Sequence, residues 1–584
     1  MAETIISPGV FARENDISFI NPAPVEAGAA IIGPTVKGPV EEPTIVTSYN
    51  EYTRKFGETF TSGSTKQEYL TSIGVKNYFQ QGGGSVLVTR VVTGSFTSAT
   101  STHISSSADL SVQPFVLKTL GKGAIFNAST GVSAAGAEIA GSGGVLVSGS
   151  ADNIRWEIQN IDEKKGTFTL LVRKGDDSHN NKVVLETFNN CSLDPESSNY
   201  IETKIGTQYK SKATDGTKTY VKTFGEYINK SNYIYVHAVN SATPGYLKND
   251  GVTVNNPGGT SYSASLPIAE SGSFHGATGE NAQAGANYGT SIADSNTQGL
   301  TSGNYTDAIS ILGNKDEYIF NIVSTPGLIY ENPDQAGALN SVITLAESRG
   351  DCIAVVDLDN HGSTVGNITS TATSLNSSYA ASYWPWVQVR SATGRNSFVP
   401  ASCVIPGVYA FTDNSSAPWF APAGLVRGGV VGVIQAEQKL TRGQRDLLYD
   451  GKVNPIATFP GQGIAVFGQK TLQTKASALD RVNVRRLLIE LKKFLGDQAR
   501  NLVFEQNTVA TRNRFLSVVN PYLESVVQRQ GLYTFRVVMD DTNNTADVVD
   551  RNQLVGQIFI QPAKTAEFIV LDFTVEPTGA TFNG

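Results

Sequence analysis

Few residues of this 584-residue chain have types and spacings that could carry chemistry. The nearest approach to a phosphate-binding loop is GIAVFGQKT over 463–471. Such a loop needs its Lys directly after the second Gly, and a polar backbone nest between the glycines. Here Gln469 separates Gly468 from Lys470, and the four intervening residues are apolar, so the stretch reads as a strand running into a loop. The run Asp357-Leu358-Asp359-Asn360-His361-Gly362 begins like a calcium loop, but Ile368 stands where a bidentate Glu is required. The polar run 540–550 lacks the Gly such a loop needs at its sixth position. Both read as turns after strands. The five histidines (His103, His179, His237, His275, His361) form no HxH or HxxxH pair, and no G-x-S-x-G elbow is present. Cys191, Cys352 and Cys403 are far apart, form no CxxC, and read as buried free thiols. No catalytic, cofactor-binding or metal site is assigned; the chain reads as a non-enzyme without a cofactor.

Composition agrees. Charged residues make up 17%, hydrophobic residues 40%, and the formal net charge is −7. That excludes long-range disorder and gives no overall basic footprint for direct nucleic-acid binding. No apolar stretch reaches the ~18 residues of a membrane span, so no membrane insertion is expected. The start of the chain has no basic region followed by an apolar one, so no signal peptide is read. A reducing cytoplasm is the expected place of folding.

The elements that must hold the chain together suggest several units. Residues 1–23 read as an arm: Ile5, Ile6, Val10 and Phe11 are apolar, but Pro8, Gly9 and Pro22 prevent a compact element. A docked arm and a frayed terminus both fit. Residues 24–92 read as α/β, with strands at 29–32 and 86–92 and a helix over 66–80. Residues 93–299 turn Ser-, Thr- and Gly-rich with short alternating strands, as in a β-rich insertion. Residues 300–440 return to α/β, with strands at 318–323 and 352–358 around a helix at 336–349. A final unit covers 441–584. Its clearest helix, 482–498, puts Val484, Leu487, Leu488, Leu491 and Leu495 on one face. A second helix is expected at 511–530, bent or restarted by Pro521. Strands follow at 533–539, 556–562 and 567–576. The fold class is therefore multidomain α/β and α+β, with an inserted β-rich outer region and extended terminal arms.

Charge is uneven. Residues 470–536 hold twelve basic groups against five acidic ones, so this segment carries +7 and the remainder −14. Arg485, Arg486, Lys492 and Lys493 recur seven apart on the first helix. A solvated helix surface and a docking face for an acidic partner both account for them.

A series of short blocks then carries a family likeness. It begins with Ser7-Pro8-Gly9-Val10 and Gly33-Pro34 followed by Pro39. Leu185-Glu186-Thr187-Phe188, Leu193-Asp194-Pro195, Pro326-Gly327 and Glu347-x-Arg349-x-Asp351-Cys352-Ile353-Ala354 follow. Ser378-Tyr379-Ala380-Ala381-x-Tyr383-Trp384-Pro385-Trp386, Val399-Pro400, Gly407-Val408-Tyr409-Ala410-x-Thr412-Asp413 and Trp419-Phe420-Ala421-Pro422-Ala423-Gly424 come next. Val453-Asn454-Pro455-Ile456 and Gly468-x-Lys470-Thr471-Leu472 complete the set. In these blocks the chain resembles the tail sheath proteins of contractile phage tails and related injection machines, over about 1–92 and 300–584. One departure is Gln469-Lys470, where the family often has an Arg before the Thr.

The resemblance implies a structural subunit that polymerises as stacked hexameric rings around a tail tube and contracts to drive the tube through a target cell envelope. It implies self-association as a homo-oligomer, with tail tube, baseplate and tail terminator proteins as further partners. It implies a place in the virion tail, assembled in the host cytoplasm. By the same resemblance, Ile5, Ile6, Val10 and Phe11 belong to an inter-subunit linking arm. Phe568, Val570, Leu571, Phe573 and Val575 belong to a C-terminal linking strand. Tyr533, Phe535, Val537, Ile558 and Ile560 belong to a receiving hairpin, joined by β-augmentation. Arg485, Arg486, Lys492 and Lys493 would face the tube. The rival reading is a virion surface or receptor-binding β-rich protein working through 93–300.

Overall fold

The computed structural model describes residues 27–567, except 63–64, 129–141, 217 and 283–286. The expected arm residues Ile5, Ile6, Val10 and Phe11 lie outside the described residues, as do Phe568, Val570, Leu571, Phe573 and Val575 of the expected C-terminal strand.

Unbroken runs of Val, Ile, Leu and Ala make strands that are covered on both faces. Ala27–Gly33, Val86–Arg90, Ile353–Asp357 and Ala380–Trp384 are such runs, and all but one of their residues are buried. They form an eight-stranded sheet in the order Thr44–Val46, Val86–Arg90, Ala27–Gly33, Phe320–Ile329, Ile353–Asp357, Ala380–Trp384, Asn454–Phe459, Gly463–Val466. Pairing is parallel inside and antiparallel at both edges. The strand period of two divides the apolar residues between two cores. Ala29, Ile31, Val86, Val88, Ile353 and Val355 pack under the helices Leu70–Gln80 and Ile405–Ser415. Ala30, Ile32, Leu87, Ala354 and Val356 pack under Pro333–Arg349 on the other side. That helix starts on a proline in its first turn and stops at Gly350, left-handed at φ 71°, the usual asymmetry of helix ends.

Three expectations change. The helix expected from 66 begins only at Leu70, because Thr65–Glu68 pairs antiparallel with Thr59–Ser62 and is extended. The boundary expected at 440 falls inside the sheet, since Asn454–Phe459 and Gly463–Val466 extend it beside Ala380–Trp384. The second C-terminal helix runs through Pro521 as one element, Val509–Gln528, so the proline does not restart it. Phe515, Val519, Leu523 and Val526, on both sides of the proline, are buried in one core. Their burial offsets the hydrogen bond that proline removes.

The insertion lies between Val86–Arg90 and Phe320–Ile329 in sequence. Two four-stranded antiparallel sheets share one core of Phe115, Leu117, Trp156, Phe168, Leu170 and Val236, a sandwich arrangement. A separate hairpin, Tyr209–Asp215 with Lys218–Phe224, returns toward the central sheet domain. Its Lys212 meets Glu41 at 2.9 Å and Asp307 at 2.6 Å. The chain enters and leaves the insertion side by side: the Thr97 amide donates to the Thr278 carbonyl at 3.1 Å. Arg90, fully buried, donates to the carbonyls of Gly38 and Lys122 and to Asn281 at 2.8–2.9 Å, fixing the root of this neck. Among the described residues no helix is long and apolar enough to cross a membrane.

The C-terminal unit packs helix Val482–Arg500 against Val509–Gln528, with Leu487, Leu491, Phe515, Val519, Leu523 and Leu532 in its core. Phe494 stacks on Tyr522 at 3.6 Å between ring centres.

Candidate assembly surfaces

The hairpin expected near 533–562 forms. Leu532–Val538 pairs antiparallel with Gln557–Pro562, with Phe535 opposite Ile560 and Val537 opposite Ile558. Alternation turns Phe535, Val537, Ile558 and Ile560 toward the C-terminal core, where they are partly buried. Tyr533 and Phe559 are 62% and 56% exposed. The sheet has two strands only, so each strand keeps one edge unpaired among the described residues. Open edges carry unpaired N–H and C=O groups and act as templates for an added strand. The polar loop between the strands is closed by Asn544. Its side chain donates to the Val555 carbonyl at 2.8 Å and accepts from the Val555 amide at 2.9 Å. Asp540 accepts from Thr542, which holds its carboxyl below the usual carboxylate range. The loop is thus a self-bonded connection. Among the described residues, no group of three His, Cys, Asp or Glu side chains is placed to hold a metal ion.

The four basic residues divide. Arg486 is 3% exposed and donates to both carboxylate oxygens of Asp413, at 2.7 and 2.5 Å. Its guanidinium lies 4.7 Å from the Tyr409 ring centre. Burial pushes the Asp413 carboxyl up, and Arg486 opposes that rise. Arg485 is 4% exposed, donates to Ser378 Oγ at 2.5 Å and stacks on Tyr379 at 4.0 Å. Neither guanidinium reaches the surface of the chain, so the expectation that Arg485 and Arg486 face a tube is corrected. The reason lies in the helix start: every residue from Val482 to Leu487 is buried, wedged between the central sheet domain and the C-terminal core. Lys492 is exposed and donates to Tyr379 Oη at 3.2 Å, and Lys493 is half-buried. Beyond this helix Val503 is 61% exposed and Phe504 fully so.

Blocks far apart in sequence meet here. Ser378 and Tyr379 hold Arg485, while Tyr409 and Asp413 hold Arg486. Trp419 donates to the Arg529 carbonyl at 3.0 Å and lies 4.8 Å from that guanidinium. In the sequence these blocks carry only the family likeness; the fold makes them the partners of the helix arginines. The signal in the sequence is an aromatic or acidic residue in each block, set against the arginine pair that the resemblance turned toward the tube.

Two family descriptions match the chain. "Phage tail sheath protein central domain" covers residues 298–472, and "Phage tail sheath C-terminal domain" covers 474–576. The tail sheath protein of Vibrio phage KVP40 is 45% identical over 188 residues, 32% of this chain and 28% of the relative. That of Enterobacteria phage T4 is 34% identical over 264 residues, 41% of this chain and 40% of the relative. The chain thus spans less than half the length of these curated relatives. Among solved structures, a sheath tail protein from Listeria innocua covers 92% of this chain and 96% of its own, at 10% identity and a TM-score of 0.49.

Proposed function

We propose that this chain, which belongs to the phage tail sheath family by both its central and its C-terminal domain, is a structural subunit of a contractile tail sheath. In this reading it polymerises as stacked hexameric rings around a tail tube, and its contraction drives the tube through the target cell envelope. The observation that carries the reading is the consecutive match of both sheath domains. The first spans five adjacent strands of the eight-stranded sheet, and the second spans the helical unit with its hairpin.

The linkage between subunits runs through the hairpin. The arm at 1–23 and the strand 568–575 of neighbouring copies add to its edges. Main-chain hydrogen bonds at about 0.5–1.5 kcal/mol each give several kcal/mol per link with little demand on side chains. Such tethers hold subunits together while their bodies rotate. The tube contact falls to Lys492 and Lys493, because Arg485 and Arg486 are engaged inside the chain. An ionic contact suits a surface that must hold and then release. Contraction is a switch between two packings, with the extended state kinetically trapped; it needs no catalytic step by this chain. The sheath would join a tube, a baseplate and a terminator in the virion tail, after assembly in the host cytoplasm.

Negative-stain microscopy of the purified protein tests the reading. Rings, tubes or striated cylinders are expected. A monodisperse monomer at high concentration would overturn it and favour a surface or receptor-binding role for the insertion.

A further inference from the structure

The segment 463–471, which imitates a phosphate loop in sequence, ends in a cluster of side chains around Glu567. Arg481 donates Nε to Glu567 Oε1 at 2.7 Å and Nη2 to Oε2 at 2.9 Å, a two-pronged pair. Tyr449 Oη donates to Oε2 at 2.8 Å, and Gln469 Nε2 donates to Oε1 at 3.0 Å. Gln469 also donates to Thr565 Oγ1 at 2.5 Å, so it holds the chain at two points. The ammonium of Lys470 lies 4.5 Å from the Tyr449 ring centre, and Arg481 also pairs with Asp480 at 3.0 Å. Asp450 is the remaining charged neighbour that acts on this group of cations. The Glu567 side chain is only 18% exposed. Burial raises its carboxyl, but the bonds from Arg481, Gln469 and Tyr449 outweigh that and hold it below the usual range.

The location matters more than the strength. Tyr449 is on the helix Arg442–Asp450, Gln469 follows the last strand of the central sheet, and Arg481 directly precedes helix Val482–Arg500. The chain has just left the hairpin at Pro562, in the C-terminal unit. Within five residues it is pinned at the rim of the central sheet domain, with residues 568–584 still to come. A carboxylate that accepts four hydrogen bonds from three separate elements is a fixed point of the backbone.

We infer that Arg481, Tyr449 and Gln469 form a clamp on Glu567 that sets where the last seventeen residues leave their own subunit and so directs them toward a neighbour. The inference rests on the linking role proposed above for 568–575. It gives Gln469, in the Gln469-Lys470 pair that departs from the family pattern, a positioning role.

The test uses the full chain with Glu567→Gln, Arg481→Met and a truncation after residue 567. Trypsin cleavage after the exposed Lys564 reports on the clamp in the unpolymerised protein. Both substitutions should speed cleavage there at least about tenfold and raise amide hydrogen exchange at 563–567, with circular dichroism unchanged. Both should also lower the yield or length of polymers. Unchanged cleavage and exchange in a folded Glu567→Gln protein would overturn the clamp. Loss of polymers on truncation, together with wild-type polymers from both substituted proteins, would also overturn it while leaving the linking role standing. Polymers that survive truncation would remove the linking role, and with it the clamp's directing function.

Discussion

Arg486 is 3% exposed, and Asp413 retains 23% of its side-chain surface while gripping it. Removing the carboxylate strands a desolvated guanidinium, whose cost in a buried pair is about 3–5 kcal/mol. Asp413→Ala is expected near 3 kcal/mol, at the low end because the acid side of the pair is partly wet. It should appear as a lower urea midpoint at unchanged slope. A loss well under 1 kcal/mol would mean the guanidinium finds water. The pair also explains where residue-level reading of the sequence stopped. Charge and a seven-residue recurrence identify a basic helix, yet they do not tell a solvent face from an interdomain one. The partners of Arg485 and Arg486 lie about 70–110 residues upstream, and no local spacing points to them. Glu567 was hidden for the same reason, its contacts reaching back 86 residues to Arg481 and 118 to Tyr449.

At the scale of elements, a strand is legible when its own side chains demand burial. Val86–Arg90 and Ile353–Asp357 could be read from apolar runs alone. Thr65–Glu68 could not, because it is polar and becomes a strand only by pairing with Thr59–Ser62. Asn454–Phe459 begins Asn-Pro and is not legible as a strand from its own residues; its place comes from Ala380–Trp384 alongside. The hairpin Leu532–Val538 with Gln557–Pro562 was legible from alternation, and its open edges then become the element to test. Deleting residues 1–12 should leave a soluble monomer that forms no sheath polymers. Tails of normal appearance by electron microscopy would sink the linking role of the arm.

At the scale of the molecule, the insertion is held to the central sheet domain by polar links of uneven depth. Lys37–Asp152 at 3.1 Å and Lys210–Glu42 at 3.3 Å bridge a cleft of about 530 Å³. Pairs as exposed as Lys210–Glu42 contribute about 0–1 kcal/mol each and weaken in salt. The two sandwich sheets have their own core, distinct from the two beneath the central sheet. Excising residues 97–278 and joining the ends through a short Gly-Ser link should therefore preserve the central sheet by circular dichroism. The shortened chain should still polymerise, into cylinders of smaller outer diameter. Failure to form any polymer would mean the insertion belongs to the inner mesh.

Thr97 and Thr278 are hydrogen-bonded neighbours, so the two chain ends of the sandwich meet in one doubled stem. That makes the position a socket. Any foreign domain whose own ends lie side by side could be plugged in there without stretching the scaffold. Each copy in a polymer would then carry one passenger outward at the spacing of the lattice, which turns the stem into a ready site for ordered display of enzymes, antigens or labels.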